Sequence, residues 1–270
     1  MKTSFKSSLF TILSIAILFS SCVPYKAAYK KSQTLLNQAV SVETAYRVQQ
    51  LEEEVASPAP SAEAQTKFDE ANKSIVTFVT EHEAALKTDN LYGNALALRG
   101  LSEYYLEDYS AANSTAEAAV TYLQSSVDNN KTRDLALMRG MSGLVLASQM
   151  GDKIKAFDKT GAIDKVKYKE IMDMARAATD GIDKGREGVS GTHSVNEFLT
   201  MSELAVYKNW LDFIPYGIDK NSSDADKAKN VAEELEVLKM AKSGVDRLNT
   251  ATGGKKADLI KYWKRLLGIS

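Results

Sequence analysis

Gly100-Leu101-Ser102-Glu103-Tyr104-Tyr105-Leu106-Glu107-Asp108-Tyr109-Ser110-Ala111-Ala112, with Ala116 and Ala119 following, is the stretch on which the fold turns. Its leucines, alanines and glutamates lose little side-chain freedom in a helix. The same usage runs along the chain, which is rich in Ala, Leu, Lys and Glu and carries proline only at Pro24, Pro58, Pro60 and Pro215. No segment alternates apolar and polar residues with a sustained period of two, the pattern a half-buried strand requires. The fold class read from this is all-α.

The quoted stretch resembles a tetratricopeptide repeat. In that family a small residue on the first helix lets the second pack closely, an acidic-aromatic turn joins the two, and spaced alanines face the neighbouring helix. Gly100, Asp108 and Tyr109, and Ala112, Ala116 and Ala119 stand at those places, with Tyr104 on the first helix. Arg99 stands where the family has a large apolar residue. A fainter echo follows about forty residues on, where Leu135-Ala136-Leu137-Met138-Arg139-Gly140 matches Leu96-Ala97-Leu98-Arg99-Gly100. Gly151-Asp152 followed by Ala156 then reads as a second turn and a second alanine. The resemblance covers roughly residues 92–163, with spacing looser than the ~34-residue period of the family. It implies antiparallel helix pairs stacked as a degenerate repeat or a helical bundle, and the helical stripes along the whole chain bring the expected total to about four pairs.

Outward from this segment, apolar stripes at helical spacing mark the other helices. Upstream, Ser61 is the expected N-cap of a long helix carrying Ala64, Phe68, Ala71, Ile75, Phe78 and Val79 and ending near Lys87 to Asn90. Before it, Leu35, Ala39, Val42 and Tyr46 form a stripe closed by Glu52 to Glu54. Ser57-Pro58-Ala59-Pro60-Ser61 breaks the helical pattern, since each proline disfavours helix in the residue before it. That linker makes the first helix a stalk or arm. Downstream, three further stripes run from Tyr168 to Ile182, from Phe198 to Ile214 and from Val231 to Leu248. The second stops at Pro215-Tyr216-Gly217, and after Gly253-Gly254 a short last helix carries Leu259, Tyr262, Trp263 and Leu266. One domain over residues 61–270 follows.

The N-terminus has secretory order. Lys2 and Lys6 precede an apolar run from Leu9 to Phe19, too short for the ~20 residues a membrane-spanning helix needs. Leu18-Phe19-Ser20-Ser21-Cys22 resembles the lipobox read by lipoprotein signal peptidase, with Phe19 where leucine is commonest. The resemblance implies removal of residues 1–21 and acylation of Cys22, leaving residues 22–60 as a tether and helix before the body. Two or three acyl chains anchor stably at ~0.8 kcal/mol per buried methylene. By the same likeness, Val23 in place of Asp after the cysteine implies sorting to the outer membrane; the leaflet stays open, with the periplasmic face as the default expectation. Lys26, Lys30 and Lys31 interleave with Tyr25 and Tyr29, to be set against lipid headgroups or to serve as a solvated tether.

Charge excludes one class of partner. Without Lys2 and Lys6 the basic residues fall from 34 to 32, against 35 acidic ones, whereas nucleic-acid binders carry a clear basic excess. Cys22 is the sole cysteine, so neither a disulfide nor a thiolate metal site holds the exported chain together.

Candidate chemistry is sparse. His193 and Glu197, one turn apart, have chelating spacing, but two ligands do not make a site. Ser194 as N-cap with Glu197 three residues on, a capping box, explains them more simply. Asp219, Asn221 and Ser223 mimic the start of a calcium loop, yet Asp224 fills the glycine position and Asn230 that of the last carboxylate. Thr252-Gly253-Gly254-Lys255-Lys256 lacks the first glycine of a phosphate loop and reads as a helix-to-helix turn. Neither a metal nor another cofactor is expected. Tyr104, Tyr105, Tyr109, Tyr122, Trp210 and Trp263 either line a groove or fill the core, and Tyr105, Tyr122 and Trp210 are the residues assigned to a groove.

The leading expectation is therefore a non-enzymatic lipoprotein whose body binds an envelope protein. The rival is a periplasmic small-ligand-binding accessory, similar to the repeat lipoproteins that accompany some binding-protein-dependent transporters. An enclosed cavity would favour the rival, and an open groove the first.

Overall fold

The computed structural model describes residues 24–52, 61–160 and 162–269, and within them the chain is all-α. Cys22, the apolar leader and Pro58 to Pro60 lie outside the described residues. The chain divides into two compact units, Met1–Met138 and Arg139–Ser270. The body expected over 61–270 includes parts of both units, whose boundary falls within one helix, Lys131–Ala156.

The first unit holds α1 (Pro24–Glu52), α2 (Ala62–Thr88), α3 (Tyr92–Tyr105), α4 (Tyr109–Leu123) and the start of α5 (Lys131–Ala156). Successive helices run antiparallel. Tyr29 of α1 meets Phe78 of α2 at 5.6 Å between ring centroids, and Ser32 meets Ser74 at 3.1 Å. The stripe expected on α1 is offset from the observed one, because Tyr25, Tyr29, Leu36 and Ala39 are the buried residues and Leu35 and Val42 are half-buried. Tyr25 and Tyr29 are therefore core, not headgroup contacts. The expected stalk lies against α2. Burial and the Asp89 carboxylate, which accepts from its hydroxyl, push the Tyr25 pKa up to about 12.

At α2 the Ser61 hydroxyl accepts from the Ala64 backbone N–H at 3.3 Å, the cap anticipated from sequence. Between α3 and α4, Glu107 takes a positive φ of 63° and Asp108 caps α4, its carboxylate accepting from the Ala111 N–H at 3.1 Å. The two helices close most tightly at Gly93, where a Cβ would stand 2.6 Å from the Leu123 backbone nitrogen.

A buried polar cluster ties α3 to the start of α5. Asn94 donates to Asp134 at 2.6 Å, Ser126 donates to Asn94 at 2.5 Å, and Arg133 Nε donates to Asp134 at 2.8 Å. Burial raises the Asp134 pKa, an effect that Arg133 and Asn94 only partly offset. A carboxyl whose folded pKa lies above its unfolded value stabilises fully below the unfolded value, and that contribution is lost as pH rises through the folded one. Hence Asp134→Asn should gain stability relative to the parent as pH climbs from about 4. Parallel denaturation curves of the two proteins across pH 3 to 7 check this, and a variant-minus-parent stability that falls as pH rises would contradict it.

α5 corrects one expectation. It runs unbroken through Gly151-Asp152 to Ala156, so the second turn does not form. Nothing packs within 4 Å of a Cβ placed on Gly151.

The second unit continues with α6 (Lys165–Arg186), α7 (Ser194–Phe213), a 3₁₀ turn at Ile214–Gly217, α8 (Asp224–Ala251) and α9 (Ala257–Leu267). α5 and α6 cross antiparallel on glycines. A Cβ on Gly143 would stand 2.3 Å from the Ile182 nitrogen, and one on Gly181 2.6 Å from the Gly143 Cα. Gly140 extends the seam, 3.5 Å from the Gly185 Cα on the same measure. Both tryptophans, Trp210 and Trp263, belong to this unit. The capping box expected at Ser194 and Glu197 is absent, because His193 Nδ1 accepts from the Val195 N–H at 3.2 Å and makes the cap itself. The true box opens α8, where Ser223 and Asp226 hold each other's backbone N–H groups.

Candidate functional site

The residues read from the repeat-like stretch take structural places. Gly100 faces Met138 Sδ at 3.2 Å and the Ala112 carbonyl at 3.7 Å, distances measured from an ideal Cβ. Ala112, Ala116 and Ala119 are buried. Tyr104 packs edge-on against Tyr105 at 5.5 Å and lies 6.2 Å from Tyr109. Tyr105 stacks flat on Phe68 of α2 at 4.5 Å, and burial pushes its hydroxyl pKa far up. Tyr122 sits at the other end of the α3–α4 pair, 37% exposed, edge-on to Tyr92 with the Lys87 ammonium over its ring at 5.5 Å. Trp210, in the second unit, is only 2% exposed and lies 5.4 Å from the Arg176 guanidinium. The three residues assigned to one groove are thus at opposite ends of a helix pair and in the interior of a separate unit.

His82 rests against Tyr25 and Phe78 at 6.1 and 5.7 Å. Glu197 is buried and receives the Lys256 ammonium. The calcium-loop mimic spends its groups locally, Asp219 accepting from the Asn221 N–H at 2.9 Å. Among the described residues no three His, Cys, Asp or Glu side chains gather as metal ligands.

A concave site does form in the second unit, at residues the sequence gives no motif for. Its cavity of about 330 Å³ is lined by Arg186, Val189, Gly191, Asn196, Thr200, Ser243, Asp246, Arg247 and Thr250. Local structure explains the assembly. α6 ends on Arg186, a cation well placed against the helix's negative end. Gly188 then turns the chain at φ 74°, and Asn196 holds the loop by donating to the Ser190 carbonyl at 2.6 Å. Asn196 and Thr200 stand one turn apart on α7, as do Ser243 and Arg247, and Asp246 and Thr250, on α8.

Glu203 on α7 organises the charges and is fully buried. One of its oxygens receives Arg186, and the other receives Arg247 at 2.7 Å and the Tyr207 hydroxyl at 2.6 Å. Burial, reinforced by the Glu203 carboxylate, pushes the Tyr207 pKa far above the usual phenol range. Arg186 also binds Asp183 at 2.6 Å, and Arg247 donates to Ser243 at 3.0 Å. Comparison of the chain with family models, curated proteins and solved structures finds no match. The site's chemistry therefore rests on its own geometry.

Four buried polar atoms on the lining residues remain without a hydrogen-bond partner: Arg186 Nε, Arg247 Nε, Asn196 Oδ1 and Thr200 Oγ1. Asn196 is 5% and Thr200 1% exposed. Buried polar groups are rarely left unpaired, since each forfeits ~1–3 kcal/mol of solvation. Two donors, one acceptor and one hydroxyl that can act as either thus belong to residues lining a single cavity.

Proposed function

We propose that this protein is a lipid-anchored, non-enzymatic envelope lipoprotein, held by acylated Cys22 at the periplasmic face of the outer membrane, whose second unit binds a small polar molecule. The cavity at Arg186 and Arg247 carries this reading. Its volume falls in the ~300–1,000 Å³ range of small-molecule sites, and its few convergent polar groups are of the kind that fix a ligand's orientation. The lipid would hold the body at the membrane and raise its effective concentration near transport or assembly components.

A partner-binding role, the reading ranked first from sequence, draws support from a different surface. Val231 and Leu235 on α8 are 54% and 63% exposed, although the helix pattern destines them for a core. An envelope protein seated on that face is the second reading.

Anchoring is tested by growing the full chain in a Gram-negative host with labelled palmitate. Label should enter the parent and not Cys22→Ser, while equal labelling of both would end the lipoprotein reading. Binding is tested with Gly191→Phe in the mature full chain. A Cβ there meets only Thr250, at 3.6 Å, and Gly191 lines the cavity, so the ring is expected to occupy it, with circular dichroism checking the fold. Native mass spectrometry should find a small molecule on the parent and none on the variant. Identical occupancy of the two would refute the site.

A further inference from the structure

We infer that the cavity takes a free α-amino acid with a small branched apolar side chain; this rests on the ligand-binding reading above. The argument is a charge and hydrogen-bond account of the lining. Arg186 and Arg247 carry two positive charges, and Glu203 and Asp183 already oppose them. Asp246, exposed and lining the same cavity, forms no ion pair among the described residues. The local balance is one negative charge in excess. A simple anion such as phosphate would enter against that balance, whereas a ligand ammonium would find Asp246 as its counter-ion.

An amine alone would satisfy only half of the site. Ammonium groups donate and cannot accept, so the free Nε–H groups of both arginines would stay unpaired. A carboxylate supplies acceptors for both, and guanidinium-carboxylate hydrogen bonds are among the stronger ones. A neutral polyol would answer the donors but leave Asp246 without a counter-charge. The group that meets both demands within one small molecule is an ammonium adjacent to a carboxylate. Val189 and the Thr250 side chain give the remaining wall an apolar character suited to a short branched side chain, and the volume is too small for a long peptide.

The test uses the mature full chain in detergent and three matched probes: L-valine, isovalerate, which lacks the ammonium, and isobutylamine, which lacks the carboxylate. Calorimetric titration should show L-valine binding at least about tenfold tighter than either fragment, the factor expected for one added polar contact of ~1.4 kcal/mol. Asp246→Asn should weaken L-valine about tenfold while isovalerate, relieved of the like charge, binds at least as tightly as to the parent. Its exposure and lack of an ion pair make that variant safe for folding, which circular dichroism verifies. Isovalerate binding as tightly as L-valine, or an Asp246→Asn variant indistinguishable from the parent, would overturn the amino-acid assignment. Orthophosphate and glucose form a second arm. If either binds the parent but not Gly191→Phe, and L-valine does not bind, the ligand class is wrong while the ligand-binding reading stands. If no probe binds and native mass spectrometry finds no small molecule, both fall.

Discussion

Replacing Gly143 by alanine should unfold the second unit more readily than almost any other single-methyl change in the chain, with an expected cost of about 3 kcal/mol. The reason is backbone, not side chain. At the α5–α6 crossing a new Cβ would stand 2.3 Å from the Ile182 nitrogen and 2.6 Å from the Ala178 carbonyl oxygen. Main chain cannot step aside by changing rotamer, so the helices must separate and forfeit contacts around the buried Leu144 and Ile182. Gly181→Ala should cost a similar amount from the facing side. Gly151 of the same helix supplies the control. There a Cβ meets nothing within 4 Å, so Gly151→Ala should gain roughly 0.5–1 kcal/mol from reduced chain entropy. Urea denaturation followed by circular dichroism distinguishes the three, and a Gly143→Ala protein as stable as the parent would mean that the helices do not cross at this point.

Glu203→Gln should be comparably severe. The carboxylate is fully buried and is the shared counter-ion of Arg186 and Arg247, whose side chains are 12% and 37% exposed. Removing one partner from a buried ionic cluster leaves uncompensated charge, which costs ~3–5 kcal/mol when the rest is inaccessible. Partial exposure of Arg247 places the expected loss near the lower figure, about 3 kcal/mol. Tyr207→Phe removes only one donor to the same carboxylate and should cost about 1 kcal/mol. A Glu203→Gln variant that loses no more than Tyr207→Phe would show that the ionic cluster contributes little to holding α6, α7 and α8 together. The variant should also weaken ligand binding, because the guanidinium groups lose the anchor that orients them.

The helices themselves could be read from the chain, since a buried stripe leaves a periodic trace in linear order. Ser61 as a cap, the turn at Asp108 and the break at Gly253-Gly254 are local devices and follow from a few adjacent residues. Errors arise where two local solutions compete. His193 displaces Ser194 as a cap by a single residue, because an imidazole nitrogen accepts the same N–H. Gly151-Asp152 looks like a turn, yet the flanking Leu, Met and Ala residues carry the helix through it. Val231 and Leu235 share the period of Val245 and Leu248 yet are 54% and 63% exposed, which no stripe can reveal.

The candidate site was invisible for a different reason. Arg186, Glu203 and Arg247 lie on three helices separated by stretches of ordinary helical sequence, and each alone is an unremarked charge. Glu203 offered a faint signal, since it sits on the apolar side of α7 between Leu199, Leu204 and Tyr207. The glycine seam was also marked, by Gly140 and Gly143 on one helix and Gly181 and Gly185 on the next. In linear order, however, Gly140 pairs equally well with Gly100 as an echo of the repeat.

The placement of both tryptophans in the second unit has a practical consequence for unfolding studies. Indole fluorescence reports the environment of Trp210 and Trp263, both of which follow Arg139 in the chain. Far-ultraviolet ellipticity instead sums peptide groups along the entire chain. Midpoints that coincide for the two signals would mean that the units melt as one cooperative block, and midpoints that part would give each its own stability from a single unlabelled sample.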